Sequence, residues 1–532
     1  MTNLAVPISA KSLNEAEEQI KAASSVGAEI LELRTDFLVH LSVDLALQVI
    51  SAARQLAPSL PIIVTCRDYH QGGALRHSNS LRADVLAAAV RAGADFIDVE
   101  YGNFLSVAIR GKISLALSAG TNTRLILSAH NFQTKFKNIK KLYWEIVNAS
   151  SGAIPKLVCS AHHINDCFDI LDLLHDRQGD LIAFCMDEPG FITRVLAKKI
   201  NGFVSFASID EKTATAPGQP TVRQLKDIYR WDSINADTEL YGVIGSPISH
   251  SLSPAIHNAC FAEAGLNKVY LPLLVAGGQQ EFNAFMDNCF SRTWLNFRGF
   301  SVTIPHKENA LNYVKEKNGS IDPFATKIGA VNTIVVADSG VSQGNHKSEI
   351  INHKSLSAYN TDCAAALDSI TSALGIDRAG LKKMPVAIIG AGGVARAIVA
   401  GLADAKAKVV IYNRTVERAK KLAHEFKCDY AGLDDLRKLR AKLVINCTSI
   451  GMHPNDNAAP VDVKFLNKDM AVFDTVYNPA ETLLLKQAKQ IGCRTISGLD
   501  MFINQAAEQF KLFTGKGANP QLIRNMANKV SK

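Results

Sequence analysis

Lys156 sits among apolar neighbours in IPKLV (Ile154–Val158), and a lysine is rarely buried without a partner. On a surface strand it would guard an edge or lay its stem along apolar surface. Inside a fold, with Arg34, Arg67 and Arg194 nearby, its ammonium would be disfavoured. The free amine could then attack a ketone and form a Schiff base. His130, in SAHNF (Ser128–Phe132), suits a proton shuttle near neutral pH. A second pair, Lys307 in FSVTIPHKE and Asp362 in YNTD, comes from distant segments. If the two meet, the carboxylate can position an ammonium beside a reacting carbonyl; singly, each reads as surface charge.

The strongest local motif is VAIIGAGGVARAIVAGL (residues 386–402), an apolar strand, a glycine turn and an Ala-rich helix in direct succession. Gly390 and Gly392 allow a tight turn and close approach to a pyrophosphate, and Ala395 takes the helix-packing position of GxGxx[G/A]. Ala391, Gly393 and Val394 complete the turn, whose helix N-terminus offers N–H groups to phosphate. A dinucleotide site that takes NAD ends its next strand in Asp or Glu. Here that end is Asn413-Arg414-Thr415, with Arg418 one turn on, which favours the 2′-phosphate of NADP. The alternative is that both arginines are solvated residues at a helix start. Ser251 and Ser253, ahead of Pro254, could cradle a carboxylate with helix N–H groups or act as plain caps.

These residues need elements to hold them. Eight β-rich runs alternate with helix-like stretches: Leu4–Ser9, Glu29–Arg34, Pro61–Arg67, Phe96–Tyr101, Arg124–His130, Ile154–Cys159, Leu181–Met186 and Phe203–Ser208. That alternation predicts a (β/α)8 TIM barrel, with a doubly wound open sheet as the competitor. Polar residues gather at the strand ends: Glu32, Arg34 and Asp36, then Arg67, Asp98 and Glu100, then His130. Strand C-terminal ends are where such barrels collect catalytic groups. Residues two apart, such as Glu32 and Arg34, share a face.

The chain has 532 residues, 58 Lys+Arg against 50 Asp+Glu and a net charge of +8 spread along its length. That spread argues against nucleic acid and membrane-surface partners and for small anionic ligands. No apolar run is long enough for a membrane span. The ten cysteines form no CxxC pair, which predicts a reducing compartment and no metal site. Residues 1–10 resemble neither a secretory signal nor a transit sequence. A cytoplasmic protein is expected, or a plastid one if a transit peptide has been removed.

In ELRTD (Glu32–Asp36), VTCR (Val64–Arg67), SAHNF, IPK, the Gly190–Arg194 turn and TAPGQ (Thr215–Gln219), residues 1–222 resemble the type I 3-dehydroquinate dehydratases. The resemblance implies a Schiff base between Lys156 and 3-dehydroquinate, with His130 moving protons. It also implies that Glu32, Arg34 and Arg67 hold ring hydroxyls, and Arg194, Thr215 and Gln219 the carboxylate. Gln71 departs from the usual Glu of that family, and Thr215 from the usual Ser.

From about residue 237, GSPISHSLSP (Gly245–Pro254), FSVTIPHKE (Phe300–Glu308), GAVNT (Gly329–Thr333), YNTD (Tyr359–Asp362), NCTSIGM (Asn446–Met452), VYNP (Val476–Pro479) and GLDMFINQA (Gly498–Ala506) resemble shikimate dehydrogenase. This implies a two-domain α/β dehydrogenase fused to the barrel. Its substrate domain would span 237–362, completed by helices at about 500–532, and its Rossmann NADP-binding domain 363–499. Ser251 and Ser253 would bind the substrate carboxylate, with Thr303, Asn332, Tyr477 and Gln505 around them. Lys307 and Asp362 would be the catalytic pair that turns 3-dehydroshikimate into shikimate. Ala358 and Ala365 stand where that family has Gly, and 337–357 reads as a loop insertion. Two other readings are a quinate-active dehydrogenase and a ligand-binding regulator that has lost catalysis.

Overall fold

Eight parallel strands open the chain in the computed structural model, which describes residues 2–249, 251–338 and 354–530. They are Asn3–Ile8 (β1), Ile30–Arg34 (β2), Ile62–Thr65 (β3), Phe96–Glu100 (β4), Arg124–Asn131 (β5), Ile154–Ser160 (β6), Ile182–Met186 (β7) and Val204–Phe206 (β8). Their order is β7-β6-β5-β4-β3-β2-β1-β8. Phe203 N–H donates to Leu181 O at 2.9 Å where β8 approaches β7, so the sheet curls into a nearly closed barrel. The open doubly wound sheet is thereby excluded for this region.

Pleat alternation explains why the barrel carries a site at one end. The inward positions begin apolar, with Ile30, Ile63, Ile126, Ile154, Ile182 and Val204 packed together. Two residues further along, the same face carries Glu32, Thr65, Ser128 and Lys156 on β2, β3, β5 and β6, while β7 and β8 carry Phe184 and Phe206. The apolar layer thus forms the floor, and the charged layer lies at the C-terminal end of the strands.

The chain divides into two compact units: Met1–Glu239 with Asn267–Ala276, and Leu240–Leu266 with Gly277–Lys532. Nothing in the periodicity marks Asn267–Ala276, which carries the strand Lys268–Leu274 (β10), as part of the first unit. It is held there by Arg230 Nη1 donating to Lys268 O at 3.1 Å, and by His163 Nε2 at 3.1 Å from Ala276 O.

In the second unit, Glu239–Gly245 (β9), Phe297–Val302 (β11), Ser320–Ile321 (β12), Thr333–Asp338 (β13) and Lys354–Tyr359 (β14) build a mixed sheet. In it β11 is parallel to β9 and antiparallel to β13. Of the loop insertion read at 337–357, residues 339–353 lie outside the described residues. Its ends are corrected to strand, because 337–338 and 354–357 pair across β13 and β14, Ala337 with Ser355 and Val335 with Ser357. A second, wholly parallel sheet has the order β17-β16-β15-β18-β19-β20. Its strands are Pro385–Ile389 (β15), Lys408–Asn413 (β16), Asp429–Gly432 (β17), Leu443–Asn446 (β18), Ala471–Asp474 (β19) and Arg494–Ser497 (β20). This is the doubly wound dinucleotide order, whose crevice lies where the order reverses at β15. The chain then returns: the helix Gly498–Thr514 meets the first sheet, with Tyr241 Oη donating to Phe513 O at 3.2 Å.

Candidate functional site

The barrel pocket gathers all eight residues singled out from its sequence: Glu32, Arg34, Arg67, His130, Lys156, Arg194, Thr215 and Gln219. Lys156 comes from β6, and Nζ lies 2.9 Å from Asp98 Oδ2 and 3.2 Å from Glu32 Oε1. The expectation that cations surround this ammonium is therefore corrected. Arg67 is neutralised by Asp98 at 2.6 Å and Glu100 at 3.2 Å, so the charges nearest Lys156 are carboxylates. Ser128 Oγ joins the network at 2.6 Å from both Arg67 Nη1 and Asp98 Oδ1. Burial pushes the Asp98 carboxyl up, but Arg67 and Lys156 outweigh it and hold the group far below the usual carboxylate range.

His130 is the last residue but one of β5, its ring stacked on Phe132 with centroids 5.7 Å apart. Burial, then Arg67 and Lys156, keep its pKa well below 6.5; Asp98 opposes them and Arg34 adds to them. The imidazole is thus a neutral base at physiological pH. Gln71 does touch this residue, though through the backbone: Oε1 accepts from His130 N–H at 3.1 Å. Gln71→Glu adds a negative charge beside a histidine whose pKa is depressed, so it raises that pKa. The acid limb of the barrel's pH–rate profile is expected to move to higher pH, and an unmoved limb would refute the coupling.

Arg194 sits on the helix Asp187–Lys199, brought against β7 at Gly190, where a Cβ would lie 2.6 Å from Cys185 C. Its guanidinium is 1 % exposed, stacks on Phe184 at 4.3 Å, and burial lowers its pKa to about 10. Nη1 reaches Phe206 O at 3.4 Å, while Nε and Nη2 have no partner among the described residues. Two orphan donors on a planar buried cation are suited to a carboxylate. Beside them Gln219 Oε1 accepts from Thr215 N at 2.7 Å and Thr215 Oγ1 at 3.1 Å. Arg34 is committed by two bonds to Asp36, at 2.9 and 2.8 Å.

Sequence reasoning noted Asp98 and Glu100 as strand-end charges without giving them a role, and it missed Ser128, Phe184, Met186 and Phe206. The period-two pattern could have found them, since each lies two residues from another inward position.

In the second unit Lys307 Nζ and Asp362 Oδ2 form an ion pair. Each begins a helix, Lys307–Glu316 and Thr361–Leu374, the latter capped by Asn360. Asn332 is fully buried and donates from Nδ2 to Asp362 Oδ1 and Thr361 Oγ1, both at 2.9 Å. Its amide therefore orients the carboxylate. Gln509, one turn beyond half-buried Gln505, was missed by sequence reasoning. It bonds Thr333 Oγ1 at 2.9 Å, Asn332 O at 3.2 Å and Ser301 Oγ at 2.9 Å. Ser251 Oγ accepts from Ser253 N at 3.3 Å at the start of the helix Ser253–Glu263. Thr303 N donates to Ile244 O at 2.8 Å, and Tyr477 stacks on Phe502 at 4.7 Å. No direct bond joins Ser251, Ser253, Thr303, Tyr477 or Gln505 to Lys307 among the described residues.

The turn after β15 fits a dinucleotide. Gly390 has φ +109°, closed to ordinary side chains, and nothing lies within 4 Å of a Cβ at Gly392. The helix Gly393–Asp404 has no side-chain cap, leaving its first N–H groups for phosphate. A Cβ at Gly393 would lie 4.0 Å from Lys307 Cδ, so the phosphate turn adjoins the ion pair. Ala395 is fully buried. Arg414 and Arg418 are exposed and have no ion-pair partner among the described residues, while Asn413 Nδ2 donates to Thr415 O at 2.9 Å. Both are free to take a phosphate.

The family models that match are type I 3-dehydroquinase over residues 4–236 and the shikimate dehydrogenase substrate-binding domain over 243–334. Shikimate/quinate 5-dehydrogenase matches 374–457, and the shikimate 5′-dehydrogenase C-terminal domain 498–525. A chloroplastic bifunctional 3-dehydroquinate dehydratase/shikimate dehydrogenase from Arabidopsis thaliana is 34% identical over 99% of this chain and 84% of its own. A shikimate dehydrogenase (NADP(+)) from Methanocaldococcus jannaschii is 38% identical over 56% of this chain and all of its own. Among solved structures, shikimate 5-dehydrogenase from Thermus thermophilus, in complex with NADP(H) and shikimate, aligns at TM-score 0.46 and 30% identity. It covers 55% of this chain and 100% of its own.

Proposed function

From the premise that the chain belongs to the family of bifunctional 3-dehydroquinate dehydratase/shikimate dehydrogenases, we propose how its residues divide the two reactions. The barrel converts 3-dehydroquinate to 3-dehydroshikimate, and the second unit reduces that product to shikimate with NADPH. The observation that carries the assignment is the barrel pocket itself, where a buried lysine meets an arginine with two orphan donors.

Arg194, Thr215 and Gln219 hold the substrate carboxylate, and Glu32, Arg34 and Arg67 face the ring hydroxyls. Lys156 Nζ bonds to the C3 ketone carbon and water leaves, giving an iminium. His130, neutral at the outset, removes a C2 proton, and the iminium takes up the electron pair. The same imidazole returns a proton to the departing hydroxyl, a syn elimination that needs one base, and water then hydrolyses the product iminium to free 3-dehydroshikimate and Lys156.

In the second unit Ser251 and Ser253 bind the carboxylate of 3-dehydroshikimate, within a pocket completed by Thr303, Asn332, Tyr477 and Gln505. NADPH, when bound on the turn Gly390–Ala395, supplies a hydride for the ketone carbon. Lys307 donates a proton to the developing alkoxide, and Asp362, oriented by Asn332, keeps the ammonium aimed. Asn413, Arg414, Thr415 and Arg418 take the 2′-phosphate.

Supplying 3-dehydroquinate should raise conjugated-enone absorbance, which NADPH then removes; no enone signal would sink the dehydratase assignment. Borohydride added with substrate should fix mass on Lys156. Replacing Arg414 and Arg418 together by Ser should raise the KM for NADPH about tenfold or more and leave that for NADH unchanged. Equal effects on both cofactors would contradict the 2′-phosphate contact. Among the described residues no helix is long and apolar enough to cross a membrane. Cytoplasmic or plastid residence and small-molecule partners alone, with no nucleic acid or membrane, are part of this proposal.

A further inference from the structure

Lys156 cannot attack a ketone while it is an ammonium, because that nitrogen has no lone pair; a neighbouring base must take a proton first. Two carboxylates touch Nζ, and they are not equivalent. Asp98 is fully buried, and its Oδ2 also accepts from Arg67 Nη2 while Oδ1 accepts from Ser128, each at 2.6 Å. Every contact there favours the ionised form, so Asp98 acts as a fixed counter-charge. Glu32 accepts through Oε1 alone, from Lys156 at 3.2 Å and Thr65 Oγ1 at 3.0 Å, leaving Oε2 without a partner among the described residues. It is also the one carboxylate among the residues lining the pocket. The charged groups that face it are Lys156 from β6, Arg34 from its own strand and Arg67 from the segment just after β3. His130, from β5, is needed at C2 and makes no hydrogen bond to Nζ among the described residues, whereas Glu32 does.

We propose that Glu32 is a catalytic residue of Schiff-base formation, which relays protons between Lys156 and the substrate oxygen in addition to facing ring hydroxyls. Glu32 takes one proton from the ammonium. The freed N–H electron pair bonds to C3, and the C=O π pair moves to oxygen, which receives that proton from Glu32. Glu32 then removes a second proton from nitrogen and delivers it to the new hydroxyl. The hydroxyl leaves as water while the nitrogen lone pair closes the C=N bond. The iminium carries the single positive charge that the ammonium brought, and Glu32 ends as a carboxylate.

The inference rests on the Schiff-base reading above, and one experiment separates the two. The full chain is mixed with 3-dehydroquinate, quenched with borohydride at short times, and the mass fixed on Lys156 is followed. Glu32→Gln keeps size and hydrogen bonding but cannot relay a proton. It should label at least about 100-fold more slowly, with KM changed by less than about threefold. Labelling should recover as pH rises and hydroxide deprotonates the ammonium, a response that a merely structural role does not give. Should the amide unfold the barrel, Glu32→Asp carries the test and must label at least about tenfold more slowly. Labelling within about threefold of the unmodified protein, or a raised KM with an unchanged labelling rate at saturation, overturns the proposal. Unmodified protein that takes no label overturns the Schiff-base reading instead.

Discussion

Lys156→Met is expected to lower turnover of 3-dehydroquinate by at least about 10⁴-fold while leaving reduction of 3-dehydroshikimate by NADPH unchanged. The dehydration loss is large because the lysine supplies both the nucleophile and the electron sink, and no other amine lines the pocket. The substitution also has a stability signature. Methionine matches the volume, but it leaves Glu32 without its cation and Asp98 with Arg67 and Ser128 alone. Breaking a buried ion pair costs about 3–5 kcal/mol, and the contacts Asp98 keeps place this case at the low end. A lowered melting transition for the barrel, with the reductase assay intact, distinguishes loss of chemistry from global unfolding. Residual dehydration within about tenfold of the unmodified rate would contradict the covalent mechanism.

Asp362→Asn is expected to lower the reductase kcat by about 10³-fold, with little change in the KM of either substrate. Asp362 is held on its other oxygen by Asn332 Nδ2 at 2.9 Å, a donor that fixes which way a substituted amide must turn. The new carbonyl would accept from Asn332, so its NH₂ would face Lys307 and two donors would meet. The ammonium would then swing away from the reacting carbonyl. Lys307→Met should give a loss of similar size, and the double substitution should be no worse than either single one, because the pair acts as a unit. A multiplicative double effect, measured as kcat at saturating NADPH and 3-dehydroshikimate, would show that the two act independently.

Much of this was legible in the sequence for local reasons. Strand and helix periods are set by residues a few positions apart, so the eight barrel strands and the turn at Gly390 could be placed from neighbours alone. The same period shows that Glu32 shares a face with Arg34. Motif order, from ELRTD to GLDMFINQA, carried the family and with it NADP.

The sequence by itself therefore determined the order of elements, the strand ends that bear charge and the identity of the reacting groups. Only the tertiary structure decided what each group faces. Lys156 meets Asp98 and Glu32, which lie 58 and 124 residues away, and they replace the cationic surroundings that the placing of Arg34, Arg67 and Arg194 suggested. Gln71 turned out to hold the backbone of His130, Gln509 to brace Asn332 and the start of β13, and Asn267–Ala276 to belong with the first unit. The physical reason is one of range. Periodicity is a property of adjacent residues, whereas a charge in a low-dielectric interior is governed by whichever opposite charge or hydrogen-bond partner lies within a few ångströms. That distance is set by how distant strands close around one another, which spacing along the chain does not encode.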